Sequence, residues 1–156
     1  YIQDHGKDLY RRTMYTFIKR TVPPPSLLIF DGSNRDQCEV RRLKTNTPLQ
    51  ALVMMNDPQV LEASRVLAEN LTGEKGTSSE RIQKAFRRIV SRPVRKDELE
   101  VLESYYQSSL SGTLEDSPLL KSGEYPSKGS LPSKEVAALM NVIMTIYNLD
   151  EAVVRG

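Results

Sequence analysis

The chain has 156 residues, of which 38% are hydrophobic and 27% are charged. This length suits one ordinary domain that buries roughly two-thirds of the surface of its unfolded form. No run of about 18 apolar residues occurs, so we expect no membrane span. The single cysteine, Cys38, excludes an internal disulfide bond.

Charge is spread unevenly along the sequence. Residues 1–50 carry nine Lys or Arg against five Asp or Glu, and residues 51–156 carry thirteen against fifteen, which gives +4 and −2. Nucleic-acid-binding proteins usually carry a stronger and more clustered basic surface, so we expect no nucleic-acid partner. The chain starts at Tyr1 without a charged-then-apolar leader, and we therefore expect it to be a fragment of a longer protein.

Apolar residues at helical spacing predict a first helix over residues 8–20. Its apolar face would consist of Tyr10, Met14, Phe17 and Ile18. The prolines at 23–25 then end this helix and favour a polyproline segment. Residues 21–46 show no sustained period, which predicts a long irregular loop that is either functional or held by unusual packing.

Two helix starts follow in close succession. Thr47 can cap a helix, Pro48 fits its first turn, and Gln50 completes a capping box three residues after the cap. Asp57 followed by Pro58 repeats the signal. We expect one helix over about 48–55 and another from Pro58 to a stop at Gly73.

Three further helices are predicted in the remaining sequence. A capping box of Thr77 and Glu80 starts the first, Pro93 ends it, and Asp97 lies at the start of the second. The third is capped by Ser133 and ends near Asp150. Their apolar faces are Ile82, Ala85, Phe86, Ile89 and Val90; Leu99, Leu102, Tyr106 and Leu110; and Val136, Leu139, Met140, Ile143 and Tyr147.

The predicted fold is all-α, with five or six helices in a bundle-like or orthogonal array and one long irregular loop. We expect a single helical domain over residues 1–156. Gly, Ser and Pro dominate residues 111–132, which predicts a flexible loop that the fold does not need.

No catalytic constellation is recognisable. His5 and Cys38 are the only residues of their types and show no ligand spacing, so we expect no metal site and no Cys–His nucleophile pair. Three carboxylates in the irregular loop lie near three arginines, which favours a salt-bridged loop over acid–base catalysis. They are Asp31, Asp36 and Glu39, with Arg35, Arg41 and Arg42.

The strongest local case for ligand binding is an anion site at the start of the helix at 48. Backbone N–H groups at a helix N-terminus attract anions, and several cationic and polar side chains arrive immediately before it. The candidate residues are Arg41, Arg42, Lys44, Thr45, Asn46, Thr47 and Gln50. A sulfate, phosphate or carboxylate could bind there, including an anionic glycan. Alternatively, the protein's own carboxylates could pair with these arginines.

Several strings of the sequence resemble the planctomycete secreted domain 1 family. They lie at residues 8–25 (DLYRRTMYTFIKRTVPPP), 30–31 (FD), 35–36 (RD), 38 (C), 41–42 (RR), 45–52 (TNTPLQAL), 56–58 (NDP) and 148–151 (NLDE). The resemblance is dense over the first 70 residues and sparse beyond them. Two positions depart from the family pattern, with Ile18 in place of tryptophan and Ala152 in place of phenylalanine.

This resemblance implies the C-terminal module of a large secreted or periplasmic bacterial protein. Such proteins typically carry a cytochrome-c-like domain and another uncharacterised domain upstream, so any haem would belong there and we expect no cofactor in this chain. The family is a domain of unknown function and implies no mechanism.

Two functional hypotheses follow. The first is a non-catalytic module for binding or interdomain assembly, whose irregular loop packs on the upstream domains of the same protein. The second makes the same loop part of an active site in a polysaccharide- or sulfated-glycan-processing protein, with Asp31 and Arg41 as contributing residues.

Overall fold

The computed structural model describes residues 2, 4–19, 21–33, 40, 45–112, 118–129 and 131–153. Regular structure in these residues is helical, with one isolated β-bridge between Lys19 and Val22, and the predicted all-α class is confirmed. No helix in the described ranges is long and apolar enough to cross a membrane. The chain divides into two compact units, residues 1–50 and 51–156. The single helical domain expected from the sequence stays a prediction.

The described residues contain seven α-helices, of which five lie where helices were predicted and two very short ones were not predicted. They are α1 (Pro25–Ile29), α2 (Pro48–Asn56), α3 (Pro58–Gly73), α4 (Ser78–Val90), α5 (Lys96–Ser111), α6 (Ser133–Tyr147) and α7 (Asp150–Val153). Three 3-10 helices lie at Gly6–Tyr10, Thr13–Tyr15 and Pro118–Lys121.

The prediction of a helix over residues 8–20 is wrong. In its place stand the first two 3-10 helices, separated by extended backbone at Arg11 and Arg12 and followed by extended backbone at Thr16. Neither 3-10 helix contains a buried residue. Most helix stability in proteins comes from packing an apolar face, and this segment, rich in β-branched and aromatic residues, buries no such face among the described residues.

The irregular loop predicted over residues 21–46 contains the short helix α1, which the sequence analysis missed. Pro25 occupies its first turn, a position that suits proline. The helix ends in a Schellman motif, in which the N–H of Gly32 donates to the carbonyl of Leu27 at 2.6 Å and that of Asp31 to Leu28 at 3.3 Å. Asp31 supplies the left-handed residue of this motif, with φ of 56°.

The predicted helix starts near residues 48, 58 and 78 are confirmed. The predicted cap at Ser133 is wrong, because Ser133 is the first residue of α6 and Pro132 lies at the cap position without a side-chain hydrogen bond. At α3, the Asp57 side chain accepts from the N–H of Gln59 at 2.8 Å. At α4, Thr77 and Glu80 form the reciprocal capping box that their spacing predicted. Helix α4 ends at a left-handed Ser91, two residues before Pro93.

Helix α6 forms the centre of the second unit, where it contacts α3, α4, α5 and α7. Eight of its fifteen residues are buried, which is typical of a helix packed on several sides. The core around it consists of Leu61, Ala68, Leu71, Ile82, Ala85, Phe86, Ile89, Leu102, Tyr106, Val136, Ala138, Leu139, Met140, Val142, Ile143 and Ile146. Each large side chain in this core stabilises the fold by roughly 1.5–3 kcal/mol relative to an exposed position.

Candidate functional site

The start of α2 carries the capping box predicted from the sequence. The N–H of Thr47 donates to Oε1 of Gln50 at 2.9 Å, and the N–H of Gln50 donates to Oγ1 of Thr47 at 3.3 Å. Gln50 also reaches back along the chain, because its Nε2 donates to the carbonyl of Ile29 at 2.8 Å. It is the only buried residue among those described in the first unit, so this unit is organised around a polar side chain.

Asp31 and Thr45 form the second half of this arrangement. The N–H of Thr45 donates to Oδ2 of Asp31 at 2.8 Å, and the Thr45 hydroxyl lies 3.0 and 2.9 Å from Oδ1 and Oδ2. The same hydroxyl accepts from Nε2 of Gln50 at 3.1 Å. Asp31, Thr45 and Gln50 thus form one connected network, which we call the Asp31 network.

The Asp31 network keeps its carboxylate ionised. Hydrogen bonds from the backbone N–H and then the hydroxyl of Thr45 lower the pKa of Asp31 below its ordinary value of 3.8. An ionised carboxylate accepts hydrogen bonds but cannot act as a general acid near neutral pH. Asp31 is therefore suited to tie α1 to the segment before α2.

The predicted anion site is only partly within the described residues. Thr45, Thr47 and Gln50 are brought together as expected, and their described hydrogen bonds join them to one another, to Asp31 and to Ile29. Asn46 lies beside them in the segment before α2 and also makes an interaction. An external anion here would face the Asp31 carboxylate, which repels it.

The cationic half of the predicted site lies outside the described residues. This applies to Arg41, Arg42 and Lys44, and equally to Arg35, Asp36, Cys38 and Glu39 of the same loop. The anion site, and the alternative of an active site formed by this loop, therefore stay predictions. In the described ranges, no group of three His, Cys, Asp or Glu side chains is placed to hold a metal ion.

The second unit contains a cluster of buried charges that the sequence analysis missed. Arg65, Glu62 and Glu69 of α3 are 2%, 4% and 4% exposed. Nη1 of Arg65 lies 2.9 Å from Oε1 of Glu69, and Nη2 lies 3.9 Å from Oε1 of Glu62. Their spacing of three and four residues was visible in the sequence, but such pairs are usually exposed, so it did not predict burial.

These buried charges bind the backbone of the loop after α5. Nε and Nη2 of Arg65 donate to the carbonyls of Ser122 and Tyr125 at 3.3 and 2.6 Å. Glu62 accepts from the N–H of Tyr125. Glu69 accepts from the Ser127 hydroxyl at 2.9 Å and from the N–H of Lys128 at 3.2 Å.

The contacts of this loop limit the flexibility that was predicted for residues 111–132. Residues 118–129 are hydrogen-bonded to buried side chains, and residues 113–117 and 130 lie outside the described ranges. Gly123 has φ of 90° beside the Glu62 carboxylate, a place where a side chain would collide. A cavity of about 400 Å³ remains between the loop, α3 and α6.

A second surface feature is the set of apolar side chains that the first unit exposes. Met14, Tyr15 and Phe17 are 67%, 63% and 72% exposed, and Leu28 of α1 is 46% exposed. We call these four side chains the N-terminal apolar surface. Exposed aromatic and aliphatic side chains are a common feature of protein–protein contact surfaces.

Comparison with known proteins gives one family. No curated protein and no solved structure matches the chain. The PSD1 family, described as "Protein of unknown function (DUF1553)", matches residues 1–106, from the first unit to Tyr106 of α5. This match covers more than half of the 156 residues, and the chain therefore belongs to the PSD1 family.

Proposed function

We propose that this chain is an extracytoplasmic helical module for binding or interdomain assembly in a larger secreted bacterial protein of the planctomycete secreted domain 1 type. Its partners are the upstream domains of the same protein, and any haem would be bound there. The periplasmic or secreted location rests on the sequence resemblance. The assembly role rests on the N-terminal apolar surface.

The contrast in burial between the two units carries this proposal. The second unit has a core of sixteen buried apolar residues, whereas the described part of the first unit buries only Gln50. A segment that exposes its aromatic side chains gains little of the hydrophobic stabilisation that offsets the entropy of ordering the chain. A covering surface would supply that stabilisation.

The composition of this surface also suits a protein partner. Aromatic residues, Met and Arg are enriched at the centres of protein interfaces, and Lys, Glu, Asp and Ser are depleted there. The sequence analysis placed the docking region at residues 21–46. Three large apolar side chains that are more than half exposed lie earlier, at Met14, Tyr15 and Phe17, so we extend the docking region towards the N-terminus and place it at residues 9–30.

Limited proteolysis with trypsin tests the proposal. The bond after Arg12 lies in extended backbone within the docking region, and the bond after Lys75 lies in the exposed turn between α3 and α4. In the full-length protein we expect cleavage after Arg12 to be slower than in the isolated chain, and cleavage after Lys75 to be unchanged. Equal cleavage after Arg12 in both would refute the assembly role.

A matched pair of variants separates docking from general destabilisation. Phe17 is 72% exposed in the first unit and Val101 is 68% exposed on α5 of the second. Phe17→Ser should restore rapid cleavage after Arg12 in the full-length protein, because it removes an apolar contact. Val101→Ser should leave the protection intact.

A further inference from the structure

We propose that residues 9–22 form a cationic aromatic docking strip, and that the surface covering it is an acidic protein surface with apolar pockets. This inference rests on the proposed assembly role and adds the chemical class of the partner. The partner surface belongs to the upstream domains of the same protein.

The charge of the strip is the first argument. Residues 9–22 contain four Lys or Arg and no Asp or Glu. Asp8, just before the strip, pairs with Arg11 at 2.5 Å. The strip thus carries an excess of positive charge in its sequence, and this excess includes the exposed Arg12. A neutral or basic covering surface would remove water from these cations without providing carboxylates to pair with them. Such burial of an unpaired charge is energetically unfavourable.

The mixture of side chains is the second argument. Met14, Tyr15 and Phe17 are exposed and lie close together in sequence with two threonines, and an arginine precedes and a lysine follows this group. Tyr and Arg are the residues that most often dominate binding energy when they enter pockets on a partner, with Phe and Met as common neighbours. This pattern favours a partner with apolar pockets surrounded by carboxylates.

The backbone argues for a protein partner and against a membrane surface. Helices that lie in a membrane interface present one continuous apolar face along many residues. The strip forms no such helix, because extended backbone at Arg11, Arg12 and Thr16 interrupts its two 3-10 helices. Its apolar and cationic side chains therefore lie on short, separate segments, which suits binding in separate pockets of a protein better than insertion into a lipid surface.

Backbone hydrogen exchange of residues 9–22 in the full-length protein tests this inference. We expect protection at low ionic strength, and an increase in exchange of about tenfold when ionic strength rises to roughly 0.5 M, where the Debye length is only a few ångströms. Arg12→Glu should increase exchange at low ionic strength by a similar factor. Arg12→Lys should retain most of the protection, and Lys75→Glu, which changes charge equally on an exposed turn of the second unit, should have no effect.

The outcomes distinguish this inference from the proposed function. Protection that is insensitive to salt and to Arg12→Glu would refute the acidic partner and leave the assembly role standing. Absence of protection in the full-length protein at any ionic strength would refute both. Protection of the strip only on phosphatidylglycerol vesicles, and not in the vesicle-free protein, would replace the protein partner by a lipid surface and refute the inference.

Discussion

Arg65 of α3 donates from Nη2 to the carbonyl of Tyr125, sixty residues later in the chain, at 2.6 Å. The guanidinium is almost fully buried, so the loop after α5 covers it and shields it from water. The Arg65 guanidinium in turn donates hydrogen bonds to the loop carbonyls of Ser122 and Tyr125. Without it, these carbonyls would need water as a hydrogen-bond donor. Arg65 thus stabilises an otherwise irregular segment against the core of the second unit.

Replacing Arg65 should be strongly destabilising. Arg65→Met would remove the partner of two buried carboxylates, Glu62 and Glu69, and leave loop carbonyls without a donor. We expect the free energy of unfolding to fall by about 3 kcal/mol or more, the usual effect of breaking a buried ion pair. Urea unfolding measures this loss.

Two further variants show whether the stability loss in Arg65→Met comes from the buried ion pairs. Arg87→Met, at an exposed position of α4, should change the free energy of unfolding by no more than about 0.5 kcal/mol. Arg65→Met combined with Glu69→Met should lose less stability than the sum of the single variants, because the double variant removes both charges of the closest pair. Additive losses would contradict the proposed coupling.

The loop itself should be needed for stability. Replacing residues 118–129 by a Gly-Ser connector of equal length would leave the buried Arg65, Glu62 and Glu69 without their loop partners. Each unsatisfied group costs about 1–3 kcal/mol, so we expect the thermal midpoint of the second unit to fall by at least about 10 °C. A midpoint within a few degrees of the parent would restore the sequence-based view that the loop is dispensable.

Helices α3 to α6 of the second unit could be predicted from the sequence because local signals and the core agree there, whereas the short α7 was not predicted. Thr77 and Glu80 start α4 by their own hydrogen bonds, and Ile82, Ala85, Phe86 and Ile89 fall on the face that α4 buries. The capping box of Thr47 and Gln50 could likewise be predicted from the sequence. In each case the contact partners are three or four residues apart.

Features that depend on distant contacts could not be predicted. The apolar period of residues 8–20 favoured a helix, yet Met14 and Phe17 stay largely exposed among the described residues. The link from Asp31 to Thr45 joins residues fourteen positions apart, and that from Arg65 to Tyr125 joins residues sixty apart. A pattern in one sequence does not reveal such pairs.

Acid should destabilise the second unit through Glu98. Its carboxylate accepts from Nη1 and Nη2 of Arg92 at 2.9 and 2.7 Å and from the N–H of Arg95 at 2.9 Å. Hydrogen bonds from Arg92 lower the pKa of Glu98 from 4.5 to about 2. Because the pKa is lowered on folding, this stabilisation is present above pH 4.5 and is lost as pH falls from 4.5 towards 2.

Urea unfolding as a function of pH tests this assignment. Glu98→Gln should lower stability at neutral pH and flatten its decline below pH 4.5. Hydrogen bonds from Arg92 also lower the pKa of Glu151 on α7, so some decline should remain in this variant. Glu100→Gln, at an exposed position of α5, is the control and should follow the parent curve. An unchanged pH dependence in Glu98→Gln would contradict the assignment.

The anion site predicted at the start of α2 has a distinct thermal signature. If sulfate binds there, it should stabilise the protein by about 2.7 kcal/mol at a hundredfold excess over its dissociation constant, at constant ionic strength. Arg42→Ala should abolish the shift. Asp31→Asn should enlarge it, because it removes the negative charge beside Thr45. No sulfate-dependent shift in the parent, with destabilisation by Arg42→Ala, would assign Arg42 to a structural ion pair.

Hydroxyl-radical footprinting tests the assembly role most directly, because it reports on the exposed side chains themselves. Met14, Tyr15 and Phe17 should be oxidised several-fold more slowly in the full-length protein than in the isolated chain. Tyr105, which is 43% exposed on α5, is the internal reference and should be oxidised at the same rate in both. Equal oxidation of Met14 and Phe17 in the two proteins, with an unchanged Tyr105, would contradict the docking of the first unit.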